Sequence, residues 1–147
     1  MAAIRRAEAS WSGALTTGSG EVSAVSSGAF TALPVTWASR TETSDGRTSP
    51  EELVAAAHAA CFSMALSGAL ARAGTPPEHL DVSAEVTFDK VEAGWRVVSS
   101  ALTVRGVVPG MSEPDFVAAA EKAKDGCPVS QALKGNVALS VDAALAD

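Results

Sequence analysis

The sequence predicts an α+β fold, and three features indicate it. The first third alternates small or apolar residues with polar ones, a pattern typical of strands. An uncharged run, 53–71, then provides enough residues for a helix of about five turns. Two further strand patterns, a second helix and a last strand follow it. This order lacks the regular strand–helix alternation of a parallel sheet.

The N-terminal third is predicted to consist of three strands. Segments 7–15 and 20–30 alternate in polarity, and the sequence "TTGSG" between them indicates a hairpin turn. A third extended segment covers 33–39. The polar, glycine-containing segment 40–49 then predicts a loop.

The start of the long helix is marked by its capping residues. Ser49 is suited to the N-cap, Pro50 to the first helical position, and Glu52 completes a capping box. The helix is predicted to run to about Ala73, where a glycine and two prolines follow. Capping accounts for Glu52 and leaves its neighbour Glu51 without an assigned role.

The second half predicts two strands, two helices and a final strand. Segments 80–91 and 95–108 are strand-like and are joined by the short turn "EAG". Segment 114–126 is a helix that ends at a glycine, and 128–135 is a shorter helix. Segment 136–145 is the last strand.

Length and charge limit the class of protein. The chain has 147 residues, no linker or repeat divides it, and we predict a single domain over residues 1–147. Its net charge of −6 offers no attraction to phosphates, so we expect neither nucleic acid nor a membrane surface as a partner. The N-terminus carries two arginines without an apolar stretch behind them. It does not resemble a signal peptide, and we expect a cytoplasmic location.

The uncharged run 53–71 is long enough to raise the question of a membrane span. It consists mostly of alanine, and it lacks the leucine and isoleucine density of lipid-facing helices. We therefore predict a helix that is buried on nearly every face of a protein core.

The chain has two cysteines, Cys61 and Cys127, which form neither a C-x-x-C motif nor a zinc-binding spacing. Cys61 lies in the apolar run, where an inert core residue is the ordinary interpretation. Cys127 lies between a helix-ending glycine and a proline, so it is predicted at a helix N-cap, where a thiolate is stabilised. The alternative for Cys127 is a thiol that only caps the helix.

Other side chains leave several alternatives open. His58 precedes Cys61 by three residues on the same helix face, so it is either a general base for the thiol or a packed, hydrogen-bonded residue. With His79 and both cysteines, it also provides four potential zinc ligands. Arg40 and Arg47 flank the polar loop, and either could pair with Glu51.

Two stretches carry a family resemblance. The sequence "SPEELVAAAHAACFSMALS", followed some sixty residues later by "KAKDGCPVSQALK", resembles the OsmC/Ohr family of osmotically inducible and organic hydroperoxide resistance proteins. "WSGAL", "DKVEAGW" and "LTVRGVVPG" extend the similarity over essentially the whole chain, and the OsmC branch is the more similar one. The resemblance changes the interpretation of Cys61 from inert to reactive.

The resemblance implies a cysteine-based peroxidase that reduces organic hydroperoxides in oxidative or osmotic stress defence. Cys61 matches the peroxidatic cysteine and Cys127 the resolving cysteine, and oxidation would join them in a disulfide. Glu51 and Arg40 match the functional glutamate and the OsmC-type arginine, although Arg47 is the other candidate. The implied fold has antiparallel sheets packed on a long central buried helix in an intertwined homodimer.

The resemblance implies no cofactor and an external dithiol, possibly a lipoylated protein, as the reductant. Glu51 and Cys61 are ten residues apart, or roughly 15 Å along a straight helix, so we expect a partner chain to bring them together. The rival interpretations are a non-catalytic stress or binding protein with Cys61 in its core, a thiol acyl-hydrolase that uses His58, and a zinc protein.

Overall fold

The protein is described here by a computed structural model that covers all residues, 1–147. Its internal contacts group into two compact units, Met1–Leu53 and Val54–Asp147, and each unit is described by itself. The division falls inside the long helix. The single domain expected from the sequence stays a prediction.

The first unit contains a three-stranded antiparallel sheet. Strands β1 (Ala7–Ser12), β2 (Ser19–Ala24) and β3 (Leu33–Val35) lie in that order. The predicted hairpin between the first two strands is confirmed. Gly18 is required in its turn, because a Cβ at that position would overlap the carbonyl oxygen of Ser12.

The third predicted strand is shorter than expected. Segment 33–39 was expected to be extended throughout, but the chain enters a short helix, α1 (Trp37–Thr41), after β3. A local capping box explains this difference. The Ser39 amide donates to the Thr36 hydroxyl, and the Thr36 amide donates to the Ser39 hydroxyl.

The long helix α2 covers Pro50–Arg72. At its start, the Glu52 amide donates to the Ser49 hydroxyl at 3.1 Å, which confirms the predicted N-cap. At its end, the Gly74 amide donates to the Ala71 carbonyl and the next amide donates to the Leu70 carbonyl. Gly74 has a φ of +88°, so this end is a Schellman motif that glycine accommodates without strain.

Burial on α2 differs from the prediction. Four residues at a spacing of four form a buried stripe: His58, Phe62, Leu66 and Leu70. Four exposed residues in the middle of the helix form a second surface, which we call the uncharged face: Ala56, Ala57, Ala60 and Met64. The expectation of burial on nearly every face is therefore wrong for the single chain. By length and composition alone the helix could cross a membrane, with a mean hydropathy of 1.7.

The second unit combines the remainder of α2 with a three-stranded sheet and two more helices. Strands β4 (His79–Val91) and β5 (Gly94–Val107) form an antiparallel hairpin, as predicted. Helices α3 (Glu113–Gly126) and α4 (Pro128–Leu133) follow, and strand β6 (Ala138–Leu145) closes the chain. The α+β class is confirmed, with one difference from the expected antiparallel sheets. Strand β6 pairs parallel to β5, because the two intervening helices return the chain to the end of the sheet at which β5 begins.

The core of the second unit lies between α2, β5 and α3. The buried residues come from all three elements and from the break after α3: Phe62, Leu66, Leu70, Leu102, Val104, Val108, Phe116, Ala120, Ala123 and Cys127. This core supports the two cysteines, one on α2 and one in the break between α3 and α4.

Candidate active site

The two cysteines meet in the second unit. Cys127 is fully buried in the core, and Cys61 is half-buried and packs against the same core. Their side chains form a hydrogen bond with each other. The fold therefore pairs two thiols that lie 66 positions apart in the sequence.

The position of Cys127 is fixed by the backbone on both sides. Its amide donates to the Ala123 carbonyl at 2.8 Å, which ends α3, and its carbonyl accepts from the Gln131 amide at 2.9 Å, which begins α4. Pro128 occupies the first turn of α4, as predicted, and Cys127 is the N-cap. The sulfur makes no regular capping hydrogen bond. Because both flanking helices are anchored to it, the residue has little freedom to move.

The two thiols differ in acidity. Burial raises the pKa of Cys61, and the hydrogen bond to Cys127 raises it further, which outweighs the Val129 amide. Burial also raises the pKa of Cys127, but the Ser130 amide, the Cys61 thiol, the Ser130 hydroxyl and the Val129 amide together outweigh it. The net pKa of Cys127 is therefore lowered. In the single chain Cys127 is therefore the more acidic of the two thiols.

An ion pair lies in the first unit, between the last turn of α1 and the first turn of α2. Arg40 donates from Nε to both carboxylate oxygens of Glu51 (2.9 and 3.1 Å), and from Nη2 to Oε1 at 2.8 Å. The Glu51 side chain is only 8% exposed, whereas that of Arg40 is 30% exposed. The guanidinium also lies 5.8 Å from the centre of the Trp37 ring. Its orientation is thus set by a carboxylate and by an aromatic face.

Arg47 takes a different partner. Its guanidinium pairs with Asp45, and both side chains are well exposed, at 42% and 84%. Glu52 accepts a hydrogen bond from the Thr48 hydroxyl at 2.8 Å and not from the Ser49 amide, so only the Ser49 half of the predicted capping box is formed. Of the two arginines that could pair with Glu51, the structure pairs Arg40.

A buried histidine lies one turn before Cys61. His58 is fully buried, and its Nδ1 and Nε2 atoms lie 2.6 and 2.7 Å from the hydroxyls of Ser100 and Ser130. Both serines are also buried. Burial lowers the pKa of His58, so the imidazole is neutral at physiological pH. Sequence reasoning missed both serines, although Ser130 is the third residue after Cys127, within reach of an N-cap side chain.

This arrangement weakens two of the rival interpretations. A general base for a thiol acyl-hydrolase needs a ring nitrogen directed at Cys61, but serine hydroxyls occupy both nitrogens of His58. His79, the other potential zinc ligand, pairs with Asp81 on the surface. No group of three or more His, Cys, Asp or Glu side chains converges in the structure, so the four proposed zinc ligands are not assembled.

A cavity of about 620 Å³ opens between α2 and α3. Met64, Ala65 and Met111 contribute to its apolar wall, and Gly126 places it next to the backbone of Cys127. Ala65 lies one helical turn after Cys61. Neither cysteine lines the cavity, and Arg72 and Lys122 add positive charge to its wall, so it could accommodate a largely apolar molecule near the thiol pair.

Comparison with known proteins places these residues in a family context. A profile of the family described as OsmC-like protein matches residues 43–142. The chain is 44% identical over 139 residues to a protein of Escherichia coli (strain K12) named peroxiredoxin OsmC, which covers 95% of this chain and 96% of that one. It is 32% identical over 91 residues to the organic hydroperoxide resistance protein of Xanthomonas axonopodis pv. citri, with coverage of 61% and 62%.

The fold is also found among solved structures. The crystal structure of an organic hydroperoxide resistance protein from Elizabethkingia anophelis superposes with a TM-score of 0.75 at 24% identity, covering 99% of this chain and 100% of that one. At this identity the similarity shows a common fold. The expected OsmC-like architecture is confirmed at the level of the single chain.

Proposed function

This chain belongs to the OsmC-like protein family, and on that premise we propose that it is a thiol-dependent peroxidase that reduces organic hydroperoxides to alcohols. The observation that carries the proposal is the hydrogen-bonded pair of Cys61 and Cys127. Two thiols in contact form a disulfide upon oxidation, whereas isolated core thiols do not. The relatives named peroxiredoxin OsmC and organic hydroperoxide resistance protein support the same class of reaction.

The proposed reaction has three balanced steps. The Cys61 thiolate attacks the terminal oxygen of the hydroperoxide, the O–O bond breaks, and the alkoxide takes up a proton to leave as the alcohol. The Cys127 thiolate then attacks the sulfur of the resulting Cys61 sulfenic acid and displaces hydroxide, which is protonated to water. An external dithiol reduces the disulfide and becomes a disulfide itself.

The first step needs a cation beside Cys61, because burial raises the pKa of that thiol. We assign this role to Arg40, whose guanidinium stays protonated and can also donate to the peroxide oxygens as negative charge develops. The bidentate contact with Glu51 would hold the guanidinium in one orientation.

The arrangement of these residues on α2 favours a homodimer. Glu51 and Cys61 lie on one uninterrupted helix, and ten residues correspond to about 15 Å along its axis. We therefore propose that two α2 helices pack antiparallel, so that Arg40 and Glu51 of one chain approach Cys61 of the other. Three of the four residues on the uncharged face of α2 are alanines, whose small side chains permit close helix packing. The fourth, Met64, is 70% exposed in the single chain.

The dimer can be tested without measuring activity. Ala60→Glu places a carboxylate on the uncharged face, and we expect it to shift the sedimentation coefficient from dimer to monomer. Ala118→Glu introduces the same charge at an exposed site on α3 and is the matched control. A wild-type protein that sediments as a folded monomer and still turns over peroxide would refute the dimer.

The cavity and the net charge of the chain guide the proposals for substrate, reductant and location. The apolar wall of the cavity suits an alkyl or lipid hydroperoxide better than a small polar peroxide. We propose a dithiol or lipoylated protein as the reductant, no bound cofactor, and action as a soluble cytoplasmic protein. The charge of −6 gives no basis for nucleic acid binding.

The proposed function is tested by turnover of cumene hydroperoxide with dihydrolipoamide or a monothiol as the donor. We expect turnover with the dithiol, loss of all activity in Cys61→Ser, and a single turnover followed by over-oxidation of Cys61 in Cys127→Ser. Ser63→Ala alters an exposed hydroxyl on α2 and should not change the rate. A Cys61→Ser protein that retains the wild-type rate would support the non-catalytic alternative for this thiol.

A further inference from the structure

Four buried side chains form a network that ends at the sulfur of Cys127. Ser100 on β5, His58 on α2, and Ser130 and Cys127 at the start of α4 are each no more than 1% exposed. The imidazole joins the two serine hydroxyls at 2.6 and 2.7 Å. Ser130 lies at the start of α4, three residues after Cys127, and its amide and hydroxyl both lower the pKa of the Cys127 thiol. Every member of this network is therefore buried.

The number of protons available in this network determines which group donates in each of its hydrogen bonds. A neutral imidazole has one N–H donor and one nitrogen acceptor, and each serine hydroxyl has a single proton to donate. If Ser130 donates its proton to the sulfur, its oxygen must accept from Nε2–H of His58. Nδ1 then accepts from the Ser100 hydroxyl. In the other tautomer, Ser130 donates to Nε2 instead, and the sulfur loses its hydroxyl donor.

We propose that His58 is a positioning residue for Cys127: as the Nε2–H tautomer it holds the Ser130 hydroxyl as a hydrogen-bond donor to the resolving sulfur. The role of this hydrogen bond in the reaction rests on the proposed function. Disulfide formation requires Cys127 to attack the sulfenic sulfur of Cys61, forming the S–S bond as the S–O bond breaks and hydroxide leaves. A sulfur that is already a hydrogen-bonded thiolate needs no base at that moment.

Few other ionisable groups act on this network. Cys61 is the titratable group in contact with Cys127. Lys124, Asp125 and Lys134 line a small cavity of about 170 Å³ together with Ser130, and Lys124 is paired with Glu121. Substitution of Cys61 in every protein that is compared removes this thiol from all of them equally, and the charges of Lys124, Asp125, Lys134 and Glu121 stay in place, so a change at Cys127 reports on the hydroxyl and the imidazole.

The test is a titration of Cys127 in the Cys61→Ser background, where Cys127 is the sole thiol and its thiolate absorbance can be followed against pH. Adding Ser130→Ala should raise the pKa of Cys127 by about one unit, and His58→Leu by about half a unit. His58→Gln should restore the low value, because a glutamine amide has one donor end and one acceptor end. Ser99→Ala, on the opposite face of β5, is the control.

The results separate this proposal from a merely structural role. An unchanged Cys127 pKa in Ser130→Ala, in a protein that still melts cooperatively, would overturn it. If His58→Leu does not fold, Ser130→Ala and Ser100→Ala decide the question. Because the titration uses no peroxide, a shifted pKa in a protein without peroxidase turnover would refute the proposed function alone. A normal turnover with no shift would refute the positioning role alone.

Discussion

Acid should destabilise this protein through His58, because the fold holds its imidazole neutral. The side chain is fully buried, and burial lowers its pKa from the value of 6.5 expected in the unfolded chain. Below that pH the unfolded chain binds a proton that the folded chain does not, so the free energy of unfolding decreases as the pH falls. The loss continues until the pH reaches the lowered pKa of the folded state.

The size of this effect follows from the linkage relation. Each pH unit below 6.5 costs at most about 1.4 kcal/mol of stability for one proton, so the loss between about pH 7.5 and about pH 5.5 reaches about 1.4 kcal/mol when the folded imidazole stays neutral throughout. His58→Gln keeps a donor and an acceptor but cannot titrate. Carboxylates titrate equally in both proteins, and their contribution cancels in the comparison.

The assay is urea unfolding of wild type and His58→Gln at both pH values and one protein concentration. We expect the wild type to lose more stability than the variant on acidification, by up to about 1.4 kcal/mol. Equal losses in the two proteins would show that His58 takes up a proton in the folded state, which contradicts the neutral imidazole on which the buried network depends.

Two pairs of substitutions, each with its control, test the ion pair and the core. Glu51→Gln removes the charge that orients the guanidinium, and we expect about tenfold slower peroxide reduction or worse, with a stability loss of about 1–3 kcal/mol in urea unfolding. Asp45→Asn disrupts the exposed ion pair and should change stability by less than about 0.5 kcal/mol; equal effects would contradict the assignment. Gly106→Ala would place its Cβ 2.7 Å from the buried Phe116 ring, and a lower Tm, equivalent to about 1–3 kcal/mol, is expected. Gly126→Ala meets no atom within 4 Å and should leave the Tm unchanged or higher, so a matching decrease in both would refute the packing argument.

Local signals in the sequence were sufficient for most elements of the fold. The cap at Ser49, the glycine after Arg72 and the turn between β4 and β5 each depend on residues within a few positions of one another. The predicted N-cap position of Cys127 is of the same kind. The short helix α1 was missed because its five residues also fit a strand pattern, and only the bonds between Thr36 and Ser39 distinguish the two.

Features that depend on distant residues could not be derived in this way. The parallel pairing of β6 is set by the path of two helices, and no residue within β6 specifies it. The partners of His58 lie 42 and 72 positions away, and a serine in a strand carries no signal that it will contact a histidine. The choice of Arg40 over Arg47 likewise depended on the short helix α1, which directs the Arg40 guanidinium at Glu51.

The most direct test of the account is peptide mass spectrometry of the wild-type protein after addition of one equivalent of an alkyl hydroperoxide. The account predicts a disulfide between the Cys61 and Cys127 peptides, formed with the loss of both thiols and reversed by a dithiol. Oxidised protein that carries no such crosslink, with Cys127 still reduced beside an over-oxidised Cys61, would contradict it.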